Sequence, residues 1–129
     1  MGVRCGADIV EVRRVEKALS KPGGGRFAAS VFTDAEARYC EAKKAGRFES
    51  YAARFAAKEA ALKALGIGLF AGAELVDIEV VNDACTGAPV LLLHNGAKGF
   101  YERMRGKSLA VSLSHTAEYA LATVVIECD

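Results

Sequence analysis

Ser50-Tyr51-Ala52-Ala53-Arg54-Phe55-Ala56-Ala57-Lys58-Glu59-Ala60-Ala61-Leu62-Lys63-Ala64-Leu65-Gly66-Ile67-Gly68 is the stretch whose reading decides the fold. At a helical period, Tyr51, Phe55, Leu62 and Leu65 fall on one side, and Ala53, Ala56, Ala57, Ala60, Ala61 and Ala64 cover most of the other. A helix apolar nearly all round packs on two flanks. Its alanine side admits close backbone approach and its bulky side fills a core. The charges are left to the seams, Glu59 and Lys63 at i and i+4 in one, Arg54 and Lys58 at the same spacing in the other. Two readings of those charges stand. Glu59 and Lys63 can form an ordinary surface pair contributing about 0.2–0.5 kcal/mol. Alternatively, the carboxylate holds a divalent metal while the lysines and arginine hold phosphate oxygens of a polyanion.

Working outward, Gly66 suits a left-handed C-cap, and the glycines at 66 and 68 let backbone approach a ligand closely. Upstream, Lys43 to Phe48 reads as a basic connection, and Thr33-Asp34-Ala35-Glu36 matches a capping box that starts a helix running to about Ala42. Arg26 to Phe32 carries one or two helical turns, preceded by the breaker Lys21-Pro22-Gly23-Gly24-Gly25. Before it, Val12, Val15, Ala18 and Leu19 share one face of a helix beginning at Glu11, with Arg13, Arg14, Glu16 and Lys17 around the rest. Val3 to Val10 is an apolar run that suits a buried strand, interrupted by Asp8, a carboxylate out of place there. The basic residues Arg13, Arg14, Lys17 and Arg26 read either as a solvated face or as a docking face for an acidic partner.

Downstream the chain turns to β structure. Asp77 to Val81 and Pro89 to Leu93 flank turn residues and predict a hairpin. A helix capped by Asn95 carries Ala97, Phe100, Tyr101 and Met104 and stops at Gly106, its aromatic pair reading as core. Leu109 to Ser114 and Tyr119 to Glu127 form a second hairpin around Thr116 to Glu118. His115 ends the first of these strands in the polar trio Ser114-His115-Thr116, whereas His94 has no supporting neighbours. The expected architecture is one α+β domain over residues 1–129, an antiparallel sheet of the N-terminal strand and both hairpins wrapped around the long central helix.

Composition narrows the function. A net charge of +1 over 129 residues excludes a broad basic face, so no nucleic-acid partner is expected. Cys5, Cys40, Cys85 and Cys128 lie too far apart for a zinc site or a disulfide framework and read as reduced thiols. No signal peptide or membrane-spanning run is present, and the expectation is a cytoplasmic protein without a membrane partner.

Three pieces, Gly6-Ala7-Asp8-Ile9-Val10-Glu11-Val12, Arg54 to Gly66, and Ser112-Leu113-Ser114-His115-Thr116-Ala117-Glu118-Tyr119-Ala120, together resemble holo-acyl-carrier-protein synthase, the short type of 4′-phosphopantetheinyl transferase. Their order and spacing match that family from end to end. Ala7 departs from it, standing where a larger aliphatic residue usually precedes the metal aspartate.

The resemblance implies the phosphopantetheinyl transferase fold and transfer of phosphopantetheine from coenzyme A to a serine hydroxyl of an apo acyl carrier protein, releasing adenosine 3′,5′-bisphosphate. Asp8 and Glu59 match the family's ligands for Mg²⁺, for which Mn²⁺ can substitute, and with Lys63 they form the implied catalytic set. Lys63 meets the pyrophosphate; Arg54, Lys58, Gly66, Gly68, His115 and Thr116 are assigned to coenzyme A. A metal-activated water is the favoured base for the serine proton. Arg14, Lys17, Arg26 and Phe27 would meet the acidic carrier protein. The family's homotrimeric assembly puts active sites between subunits. The same groups also suit a Mg²⁺-dependent nucleotide phosphohydrolase, or a scaffold in which Asp8, Glu59 and Lys63 form a structural ion cluster.

Overall fold

A computed structural model describes residues 2–68 and 72–129. Strand β1 (Gly2–Glu11) leads into α1 (Val12–Ser20), α2 (Gly24–Val31) and α3 (Asp34–Glu41). The central helix α4 (Arg47–Leu65) follows, then β2 (Ile78–Asn82), β3 (Pro89–Leu93), α5 (Asn95–Arg103), β4 (Gly106–His115) and β5 (Tyr119–Cys128). Helix α4 is buried on most sides, as its composition predicts. Its alanines lie against β5, whose inward residues Ala120, Ala122, Val124 and Ile126 are all fully buried, and small side chains on both surfaces permit that approach. The helix ends as expected. Gly66 takes φ 72°, its N–H reaches the Lys63 carbonyl (3.1 Å), and Ile67 N–H reaches that of Leu62 (2.9 Å).

The capping box at Thr33 forms in full, Thr33 Oγ1 accepting from Glu36 N–H (3.2 Å) and Glu36 Oε1 from Thr33 N–H (3.0 Å). At α5 the expectation is corrected by one position. His94 occupies the N-cap, and Asn95 is already the first helical residue, at φ 49°.

The expected five-stranded sheet is instead two sheets, an antiparallel β1-β5-β4 and a separate β2-β3 ribbon. On the edge of β2 away from β3, side chains stand where a further strand could have paired. Lys58 Nζ donates to the Ile78 carbonyl, and Glu36 Oε2 accepts from Val80 N–H (2.8 Å). Backbone groups of β2 that could have continued a ladder are thus satisfied by an ion pair. No helix among the described residues is long and apolar enough to cross a membrane.

Candidate functional site

Asp8 projects from β1 toward the last turns of α4. Lys63 Nζ donates to Asp8 Oδ1 (3.0 Å) and to the Ala7 carbonyl (2.9 Å), so the lysine turns to the strand. This corrects the reading of Glu59 and Lys63 as an intrahelical pair; Glu59 makes no salt bridge among the described residues. Burial pushes the Glu59 carboxyl above the usual range, the Asp8 charge pushes it further, and Lys63 opposes both. Asp8 and Glu59 line one cavity of about 330 Å³ together with Arg14, Phe27 and Phe55. The strand and helix carboxylates therefore converge, as the family pattern implies.

That donor set fits a hard cation. It offers hard carboxylate oxygens from two side chains, one with its charge disfavoured by burial and by the other. No group of three or more histidine, cysteine, aspartate or glutamate side chains among the described residues suits a metal. Two protein carboxylates, with the remaining positions left to substrate phosphates and water, is the arrangement Mg²⁺ favours.

The residues assigned to coenzyme A divide. Arg54 and His115 line a second cleft, about 520 Å³, with Lys43, Asn82 and Pro89. Arg54 is only 3% exposed. Its guanidinium lies 4.0 Å from the Tyr39 ring centre and donates to Asn82 Oδ1 (2.8 Å), while its buried Nε has no partner among the described residues. A buried donor without an acceptor, in a cleft where Lys43 stands beside Arg54 and Glu49 is the one carboxylate among the described lining residues, is suited to an anionic ligand. Arg54 and Glu59 are five residues apart, about 140° around the helix, so α4 presents the two clefts on different flanks. Lys43, Tyr39 and Asn82 were not singled out by the sequence. Tyr39 and Lys43 stand at i and i+4, with the ammonium 4.8 Å from the ring centre, a spacing that could have flagged them.

Lys58 is not in either cleft. It is fully buried, donates to Glu36 Oε1 (2.7 Å) and to the Leu75 (3.2 Å) and Ile78 carbonyls, and so has all three donors occupied. Its assignment to coenzyme A is corrected: helical spacing from Arg54 put the two together, but the packing of α3 and β2 claims the ammonium. Thr116 is exposed, and its hydroxyl accepts from Glu118 N–H (3.2 Å) and Tyr119 N–H (3.1 Å), building the β4–β5 turn. Gly66 closes α4, and Gly68 has open space around it. Arg14, Lys17 and Arg26 are exposed on α1 and α2. Phe27, assigned with them to the carrier-protein contact, is half-buried and stacked on Phe55 at 6.3 Å, so only part of its ring is open to a partner.

Residues 4–124 match a family model described as the 4′-phosphopantetheinyl transferase superfamily. The chain is 45% identical to a holo-[acyl-carrier-protein] synthase of Ruminiclostridium cellulolyticum over 126 residues, covering 98% of this chain and 92% of that protein. Its backbone superposes on the crystal structure of Helicobacter pylori holo-[acyl-carrier-protein] synthase in complex with coenzyme A with a TM-score of 0.81 at 31% identity, covering 95% of this chain and 99% of that one. For the Bacillus anthracis holo-(acyl-carrier-protein) synthase in complex with CoA (3′,5′-ADP), the TM-score is 0.78 at 34% identity, covering 98% and 96%.

Proposed function

The chain belongs to the 4′-phosphopantetheinyl transferase superfamily, among its holo-[acyl-carrier-protein] synthases, and on that premise we propose that it moves phosphopantetheine from coenzyme A to a serine of an apo acyl carrier protein with Mg²⁺ bound. The observation that carries this reading is the convergence of Asp8 and Glu59 on one cavity beside Arg14, with Lys63 bonded to Asp8. A bond forms between the serine oxygen and the phosphorus of the phosphopantetheine. The bond from that phosphorus to the bridging oxygen breaks, and adenosine 3′,5′-bisphosphate leaves as the serine proton is released. Mg²⁺ held by Asp8 and Glu59 would neutralise charge on the diphosphate. Lys63 brings an ammonium to the same edge, where it meets negative charge growing on the leaving phosphate. Arg54, with its unpartnered Nε, and His115 suit the nucleotide phosphates.

The two clefts on one chain hold complementary halves of such a site, which favours an assembly in which one subunit's Asp8 cavity faces another's Arg54 cleft. A surface for that assembly exists. The outer face of the β1-β5-β4 sheet exposes Val3 (67%), Ile9 (64%), Tyr119, Leu121 and Val125, side chains that a second copy would cover. We read the protein as a homotrimer; sedimentation at the mass of one chain, with full activity, would contradict this.

Arg14 borders the cavity and continues through Lys17 to Arg26, a cationic face aimed where an acidic carrier would deliver its serine. Arg14→Ala and Arg26→Ala are each expected to raise KM for the carrier protein about tenfold at low salt, with kcat little changed and the difference shrinking as salt rises. Steady-state kinetics with the carrier varied at two ionic strengths checks this. An unchanged KM in both variants would rule out the docking face.

A further inference from the structure

The register of β1 shows how closely the strand is bound to α4. Arg4, Gly6, Asp8 and Val10 stand opposite Ile126, Val124, Ala122 and Ala120 of β5, all of them fully buried. Paired residues share a sheet face, so these four β1 positions are the ones turned to the helix. At one end, Arg4 Nε donates to the Ala64 carbonyl (2.9 Å); at the other, Asp8 accepts from Lys63 (3.0 Å). Gly6 lies between them. A Cβ there would stand 2.0 Å from the Ala60 carbonyl oxygen, 2.8 Å from Ala64 N and 3.0 Å from Lys63 Cβ. The two nearest are backbone atoms of a helix and cannot turn aside, whereas an ordinary contact needs at least 3.4 Å. Gly6 is not in the left-handed region, so space, and not backbone conformation, is what calls for glycine.

From this contact we propose that Gly6 is a positioning residue for the cation site, fixing the separation of Asp8 from Glu59 and Lys63, with Arg4 fastening the crossing. The inference rests on the reading of Asp8 and Glu59 as metal ligands. Asp8 follows Gly6 by two residues on a continuous strand, so a side chain that lifts β1 at position 6 moves Asp8 away from α4. Mg²⁺ holds its oxygens at about 2.0–2.1 Å and tolerates little displacement. Arg4 acts at the far end of the crossing. Its Nε caps a carbonyl that the Gly66 turn leaves over, and its guanidinium lies against Gly66, an Nη atom 2.5 Å from where a Cβ would be.

The test is Mn²⁺ binding to the substrate-free protein, read by electron paramagnetic resonance, beside thermal unfolding. Wild type is expected to bind Mn²⁺ and Asp8→Asn to lose it. Gly6→Ala is expected to bind roughly 10- to 100-fold more weakly. Leu91→Ala, which empties a buried position on β3, should lower the unfolding temperature and keep wild-type affinity. A folded Gly6→Ala protein with wild-type Mn²⁺ affinity would overturn the proposal. If Gly6→Ala does not fold, Arg4→Ala decides: weakening of roughly tenfold supports the proposal and unchanged affinity overturns it. Wild-type binding that is absent, or indifferent to Asp8→Asn, would bring down the metal reading and this inference with it.

Discussion

Glu59→Gln is expected to unfold at a higher temperature than wild type in the absence of substrates and divalent cation, and to lose at least about 100-fold in kcat. The two effects share a cause. Burial and the Asp8 charge raise the Glu59 carboxyl, with Lys63 opposing, so the folded chain holds a proton on Glu59 more tightly than the unfolded chain does. Its contribution to stability is therefore fully present below the ordinary glutamate range and lost as pH rises through the raised value. Above that range the ionised group is a strain that glutamine removes. A cation relieves the same strain without removing the charge. Added Mg²⁺ should accordingly raise the unfolding temperature of wild type by mass action and leave that of Glu59→Gln unmoved. Differential scanning calorimetry with and without the ion checks both. Equal unfolding temperatures for the two proteins at pH 7 and at pH 4 would count against the electrostatic account.

Lys58→Met is expected to be the most destabilising single change near the site, costing about 3–5 kcal/mol, or roughly 10–20 °C in unfolding temperature. Lys58 and Glu36 form a fully buried ion pair at 2.7 Å. Glu36 also accepts from Thr33 N–H and Val80 N–H, and Lys58 also donates to the Leu75 and Ile78 carbonyls. The pair thus joins α3, α4 and β2 through backbone groups with no water to replace it. Methionine would leave the Glu36 charge buried against two amides alone. Adding Glu36→Gln to Lys58→Met removes that charge, and the double variant should be less destabilised than the sum of the singles. Denaturant titration of the four proteins measures the coupling. A second outcome separates structure from ligand binding: whatever Lys58→Met protein folds should keep its KM for coenzyme A. A raised KM would restore the nucleotide role that packing denies it.

These cases show which parts of the fold were legible in the sequence. Helix α4 was legible because its composition leaves no polar face, and its end and the start of α3 because Gly66 and the Thr33 box are local signals acting over three or four residues. Asp8 and Glu59 stood out against an apolar strand and helix, and the motif order tied them together. The fate of Lys58 was not legible. Helical spacing from Arg54 placed it at a phosphate, but its partner lies 22 residues away on another helix. The same ion pair takes backbone groups on the free edge of β2, a contact no local pattern announces, and the single sheet expected from strand patterns is two sheets. Arg54 and His115 were singled out, but not that a separate cleft holds them. That depends on where Asn82 and Pro89 come to lie, and periodicity carries no record of it.

The most direct measurement is the intact mass of an apo acyl carrier protein after incubation with this chain, Mg²⁺ and coenzyme A. The account predicts a gain of one phosphopantetheine per carrier, and an unmodified carrier when Glu59→Gln is used for the same time. An unmodified carrier beside free phosphopantetheine in the wild-type reaction would mean hydrolysis instead of transfer, and would contradict it.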